Sequence, residues 1–272
     1  MLYHYTSIEV LKCLFENYSN DHPYLTFWAS NCAFMNDPSE IKEGIKLIIK
    51  SIDNFECPIL KEELKSFLEN DKFYDYLVSV STKAAFGVPY AISFSRCPDN
   101  LNMWNMYGDK SQGVMLGFNR DILEQYNNKN QISDCIYSNV LTSTFKEYIN
   151  SLLQESFLCQ KPRPDGVSRK FYNLYVLTKF ASCIVPSIKH KTYEYEKETR
   201  MVAFSKSPKF RTLHNLLIPY IELSVPTSAL ENIMIGPNCD NRNILSVKTL
   251  ICSKGLDDIF NNITQSTLPF KI

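Results

Sequence analysis

Three short stretches of the chain carry side chains whose types and spacing could do chemistry. In Tyr193-Glu194-Tyr195-Glu196-Lys197-Glu198-Thr199-Arg200, two carboxylates and a guanidinium stand at every second position. If the stretch enters a strand, two-residue alternation puts Glu196, Glu198 and Arg200 on one face. Adjacent carboxylates raise one pKa and the Arg lowers both. Such a set can stabilise a developing cation, and it reads equally well as a charge ladder on a surface. Ser93-Phe94-Ser95 closes an apolar run with two hydroxyls on one face and an aromatic ring on the other. His4, between Tyr3, Tyr5 and Thr6, is an ionisable ring in a first strand, open to a ligand-anchoring role or to plain structural service. Trp104 and Tyr107 stand at helical spacing with Met103, as a core stripe or as a stacking platform. Asn36-Asp37-Pro38-Ser39-Glu40 is explained by helix capping, with Asp37 at the N-cap and Pro38 at the first helical position; Asn36 is the unforced polar residue of that set.

The elements that must position these residues follow from periodicity. Leu2–Thr6 reads as a strand and Ile8, Leu11 and Leu14 as the apolar stripe of a helix. Residues 23–36 are extended, and helical patterns fill the stretch from Pro38 to about 85. Strands are expected at 90–95 and 113–118, with a turn-rich piece at 102–108 between them. A strand at 133–140 and a helix at 142–158 lead to the loop Lys161-Pro162-Arg163-Pro164-Asp165-Gly166, after which a long helix runs to about 184. Short strands near 199–204, 215–224 and 232–236, a helix near 241–253 and a last short strand complete the pattern. The expectation is a single α+β domain spanning 1–272, with a helical insertion at about 38–85.

Composition narrows the function classes. With 272 residues, 44% of them hydrophobic and 21% charged, the chain has ample material for one buried core. Lys+Arg and Asp+Glu both number 29, so no global basic field exists to gather nucleic acid, although a local groove stays possible. No apolar run approaches the roughly 20 residues that span a bilayer, and the first residues do not resemble a secretory leader. The expectation is therefore a cytoplasmic protein without a membrane partner. Nine scattered Cys, with no CxxC spacing, argue for reduced thiols and against a disulfide framework or a metal site. Dinucleotide, phosphate-loop, zinc-protease and nucleophile-elbow motifs are all missing, so nucleophile chemistry finds no support.

Read in order, Tyr3-His4-Tyr5-Thr6-Ser7, Asn36-Asp37-Pro38-x-Glu40, Ile92-Ser93-Phe94-Ser95, Met103-Trp104-x-x-Tyr107, Gly113, Lys189-x-x-x-Tyr193-x-x-Glu196-x-Glu198-x-Arg200 and Ile235-Gly236-Pro237 resemble a widespread bacterial domain family of unknown function along nearly the whole chain. That family commonly has Trp where this chain has Tyr193. More distantly, a His-bearing first strand, a Ser-x-Ser strand and a late Glu-x-Glu strand resemble the ADP-ribosyltransferase superfamily. This second resemblance implies an α+β fold with a split mixed or antiparallel sheet, flanking helices and NAD as substrate, in a bacterial toxin or phage-defence setting. By the same resemblance His4 is the anchor, with Tyr5, Thr6 and Asn36 beside it, and Ser93 and Ser95 shape the cleft. Glu198 is catalytic, Glu196 is the second carboxylate and Arg200 contacts the ligand, while Tyr5, Phe94, Trp104 and Tyr107 compete as the stacking ring. The acceptor is an unspecified macromolecule or water, and no metal is expected. The rival expectation is a non-catalytic ligand- or protein-binding sensor module.

Overall fold

The computed structural model describes residues 1–35, 87–126, 130–137, 184–213 and 215–269, with the isolated positions 44, 62 and 166. The capping motif at Asn36–Glu40, the helical insertion and the helices expected at 142–158 and before 184 lie outside these residues.

The described part is an α+β arrangement built on one large, mostly antiparallel open sheet. Its strands are β1 (Leu2–Thr6), β2 (Tyr24–Asn31), β3 (Val88–Ser95), β4 (Val114–Phe118), β5 (Gln131–Asp134), β8 (Glu198–Ser205), β9 (Lys209–Leu213), β10 (Leu216–Pro226), β11 (Leu230–Ile235) and β12 (Ile263–Gln265). Two further short strands, β6 (Ile136–Tyr137) and β7 (Ile188–Lys189), pair in parallel by themselves. The helices are α1 (Ile8–Leu14), α2 (Leu101–Tyr107), α3 (Arg120–Tyr126), α4 (Arg242–Ser253) and α5 (Asp257–Phe260).

Pairing around β3 decides the architecture. One edge of β3 is taken along its whole length by β8, from Val88↔Ser205 to Ser95↔Glu198. The other edge is therefore shared: β1 meets it at Tyr3↔Ser95 and β2 meets it at Ser30↔Ala91 and Asn31↔Tyr90. Between those registers Ile92, Ser93 and Phe94 have no strand partner on that edge, and the sheet forks. Beyond the fork, β1 continues through β4 and β11 to β12, and β2 continues through β10 to β9. An unpaired strand edge must find other hydrogen-bond partners. At the fork the Ser93 carbonyl accepts from the His4 ring at 2.9 Å.

The main core lies on one face of this sheet. Phe118 packs edge to face on Phe27 and Phe94, which meet at a tilt, and Leu11 and Leu14 of α1 join the same core. Ser7 starts α1 by accepting from the Val10 amide. The turn-rich piece expected at 102–108 is instead a helix, α2, capped by Asn100. Burial decides this, because Met103 and Trp104 gain a packed cluster with Tyr5 and Met115 only if the segment coils. Gly113 has to be glycine: a Cβ there would lie 2.0 Å from the Thr6 carbonyl oxygen, inside the β1–β4 junction.

Candidate functional site

A cavity of about 480 Å³ opens at the fork. His4, Ser93, Ser95, Glu196, Glu198, Arg200, Tyr5, Thr6 and Tyr107 all line it, which brings most of the residues singled out from the sequence to one place. Register assigns their faces. Tyr3, Ser93, Ser95, Glu198 and Arg200 share one face through Tyr3↔Ser95, Ser95↔Glu198 and Ser93↔Arg200. His4 belongs to the opposite, core face, edge-on to Phe27 at 5.1 Å between ring centroids and to Phe94 at 5.9 Å. The cavity reaches both faces because the strands part there.

His4 is half-buried, and its Nδ1 donates to the Ser93 carbonyl. Burial pushes its pKa below the ordinary imidazole value, against a smaller upward pull from that hydrogen bond. The neutral ring thus carries its proton on Nδ1 and leaves Nε2 as an acceptor.

The acidic wall differs from an exposed ladder. Glu196, Glu198 and Arg200 are 2%, 3% and 0% exposed, and Lys189 joins them at 4%. Arg200 donates through Nε to Glu198 Oε1 at 2.7 Å and through Nη2 to Oε2 at 3.1 Å, a bidentate pair, and through Nη1 to the Pro186 carbonyl at 2.7 Å. Lys189 Nζ donates to Glu198 Oε2 at 2.7 Å and to Glu196 Oε2. The Tyr107 hydroxyl donates to Glu196 Oε1 at 2.8 Å. Among the described residues, two cations and two carboxylates form one connected tetrad of paired charges. The surface-ladder alternative is corrected here. The segment 185–189 packs over the face that holds Glu198 and Arg200, with Lys189 on Glu198 and the Pro186 carbonyl on Arg200.

Glu196 reaches the tetrad by a different route from strand alternation. Residues Lys191–Glu196 form a 3₁₀ turn, ended by Lys197 in the left-handed region (φ 42°, ψ 51°), and β8 begins at Glu198. The reversal at Lys197, rather than the pleat, puts Glu196 beside Glu198. The backbone is tied down on both sides: Ser95 Oγ donates to the Glu196 carbonyl at 2.7 Å, and the Glu198 amide donates to the Tyr137 hydroxyl at 2.9 Å.

Burial pushes the Glu198 carboxyl up, but Arg200 and Lys189 outweigh it and hold the pKa at about 2. Burial alone would lower Lys189, yet Glu198 and Glu196 raise it above the usual ammonium range. Tyr107 is raised by burial and then by Glu196, and Tyr137 is pushed up to about 12, chiefly by burial. Glu198, Lys189, Tyr107 and Tyr137 therefore each keep one protonation state near neutrality.

Trp104 does not line the cavity. It is fully buried, with Nε1 donating to Asp99 at 2.8 Å, and it supports Tyr5 edge-on at 5.0 Å. Tyr5 spends its hydroxyl on the Cys97 carbonyl at 2.8 Å and presents its ring. Asn36 lies outside the described residues. Sequence reasoning passed over two contributors, Trp28 and Arg211, and nothing local marked either of them. Lys189, part of the ordered motifs, pairs with Glu198 and Glu196. Among the described residues no group of three or more His, Cys, Asp or Glu side chains could hold a metal ion, and no helix is long and apolar enough to cross a membrane.

The chain matches no curated protein and no solved structure. Residues 103–201, the stretch that contains Trp104, Tyr107, Lys189, Glu196, Glu198 and Arg200, match the family described as Protein of unknown function (DUF2971).

Proposed function

We propose that the fork cavity binds NAD and that the protein cleaves its nicotinamide–ribose bond, passing the ADP-ribosyl group to a macromolecule or to water. The observation that carries this reading is the meeting of His4, the Ser93–Ser95 strand and Glu198 around one cavity where a sheet divides, the layout that an ADP-ribosyltransferase-like fold implies. The cavity volume falls within the range of small-ligand sites. Neutral His4, with Nε2 as an acceptor, can anchor a ribose hydroxyl or a carboxamide N–H. Tyr3, Tyr107 and Tyr193 offer rings for a heteroaromatic leaving group. Cleavage of a bond to a good leaving group needs position and fixed charge more than a nucleophile. Glu198, ionised at any physiological pH, supplies the charge.

One observation favours the second reading, a ligand-binding sensor without turnover. Both Glu198 oxygens already accept from Arg200 and Lys189, so the carboxylate is paired and stabilises a cation less than a lone carboxylate does. Nicotinamide release from NAD separates the two. The proposed activity predicts release by the wild type and its loss in His4→Asn, which keeps a donor at the Nδ1 position and deletes Nε2. Saturable NAD binding without release selects the sensor, and neither binding nor release removes both.

A further inference from the structure

The same face of the sheet carries a second, differently charged feature. From Ser30↔Ala91, Tyr220↔Ser30 and Ile218↔Arg211, register runs Ser30, Trp28, Ile218 and Arg211 onto the face that holds Ser93, Arg200 and Glu198. All of them line the cavity. Arg211 lies on β9 and reaches back across β10, donating through Nη2 to Ser30 Oγ on β2 at 2.9 Å, with its guanidinium 5.9 Å from the Trp28 ring centroid. Its Nε is enclosed and has no hydrogen-bond partner, and no carboxylate among the described residues pairs with it. The nearby acid Glu222 is engaged by Lys209 at 2.7 Å.

An unpaired, partly buried guanidinium is costly to leave in place. A buried donor without an acceptor is destabilising, and more so when the group is charged. Among the described residues each cation of the tetrad at the opposite wall is paired with a carboxylate and Arg211 is not, so a ligand anion would find its counter-charge at Arg211. Since β2 lies two strand spacings from β8, roughly 10 Å, and the Ser30 register meets β8 at Val202, four residues or roughly 13 Å from Glu198, a group held at Arg211 and one held beside Glu198 stand on the order of 16 Å apart, a span suited to an extended dinucleotide. The planar fork of Arg suits a phosphate oxygen pair, and the Trp28 ring under it limits its motion.

We propose that Arg211 is the anion-recognition residue of the fork cavity and that the cavity's ligand carries a phosphate or diphosphate ester placed between Arg211 and Ser30. This assignment names the polar end of the ligand. It agrees with the NAD reading but stands on Arg211 alone, and it holds for any phosphate-bearing ligand.

The test uses inorganic pyrophosphate as probe, with the Arg211 Nε–Hε resonance assigned by comparison with Arg211→Lys. The resonance is expected to move saturably at millimolar pyrophosphate. Arg211→Gln is expected to weaken pyrophosphate binding about tenfold or more, the loss of one charge-assisted contact, with Arg211→Lys intermediate. Melting temperatures of both variants check that the fold persists. An unmoved resonance, or equal pyrophosphate affinity in wild type and Arg211→Gln, overturns the assignment. The NAD reading fails separately: pyrophosphate bound through Arg211 with no nicotinamide release keeps the anion site and removes the cleavage activity. Release with kcat and KM unaltered in Arg211→Gln does the reverse.

Discussion

At the residue scale, Glu198 is where structure changes the meaning of the sequence most. Alternating charges in Glu196-x-Glu198-x-Arg200 suggest a solvent-exposed ladder whose members are individually expendable. In the fold, Glu198 is the hub of a buried tetrad, bound to Arg200 at 2.7 and 3.1 Å and to Lys189 at 2.7 Å. Removing one partner of a buried ion pair strands the other charge and typically costs about 3–5 kcal/mol. Glu198→Gln is therefore expected to lose stability on that order, measured by urea unfolding; a change within about 1 kcal/mol would restore the surface-pair picture. The pH dependence carries the same signature. Held at about 2, below its ordinary value, the Glu198 carboxyl contributes stability that is fully present above pH ~4.5 and is lost as the pH falls toward 2, on the order of 3 kcal/mol in all. His4, also lowered, acts with the same sign but over a higher window, beginning below pH ~6.5. Glu198→Gln should keep the His4 limb of the acid unfolding curve and show a weaker limb below pH ~4.5, where Asp134, also lowered, still contributes. An unchanged lower limb would show that Glu198 is not the group responsible.

At the element scale, the strands that carry the site were largely readable and the turns that aim it were not. Leu2–Thr6, the Ser-x-Ser strand and the strand holding Arg200 stand where apolar alternation put them, because period-2 burial is a local signal. Glu196 meets Glu198 through a 3₁₀ turn and a left-handed Lys197, and no residue type there announces it. Helix α2 was read as turns because its seven residues are too few for a clear period, and its stability comes from Trp104 packing on Tyr5. The fork itself is a matter of non-local pairing, with β1 and β2 sharing one edge of a strand about 60 to 90 residues away, and local periodicity contains nothing of that. Lys197 gives a test at this scale. An L-residue in the left-handed region costs about 1 kcal/mol or more relative to glycine. Lys197→Gly should leave stability unchanged or raise it by up to ~1 kcal/mol and leave ligand binding intact, by calorimetry and titration. A marked loss of stability would mean that Lys197 contributes contacts beyond its backbone conformation.

At the scale of the whole molecule, a single sheet divides so that an inner strand, β3, leaves the middle of one edge open to a cavity, and the two arms of the fork bring unlike chemistry to it. The arm that begins with β1 supplies His4; the β3–β8 pair supplies a rigid wall of paired charges; the arm through β2, β10 and β9 supplies an unpaired Arg211. That polarity is what a ligand with a sugar-linked base at one end and an ester phosphate at the other would match. The most direct measurement is NMR of the imidazole nitrogens in protein labelled at its four histidines, with the His4 signals assigned from His4→Asn, during titration with NAD and simultaneous detection of free nicotinamide. The account predicts that His4 Nε2 shifts on binding while Nδ1 stays protonated on the Ser93 carbonyl, and that nicotinamide accumulates with time. His4 signals unaltered at millimolar NAD, with no nicotinamide formed, would contradict it.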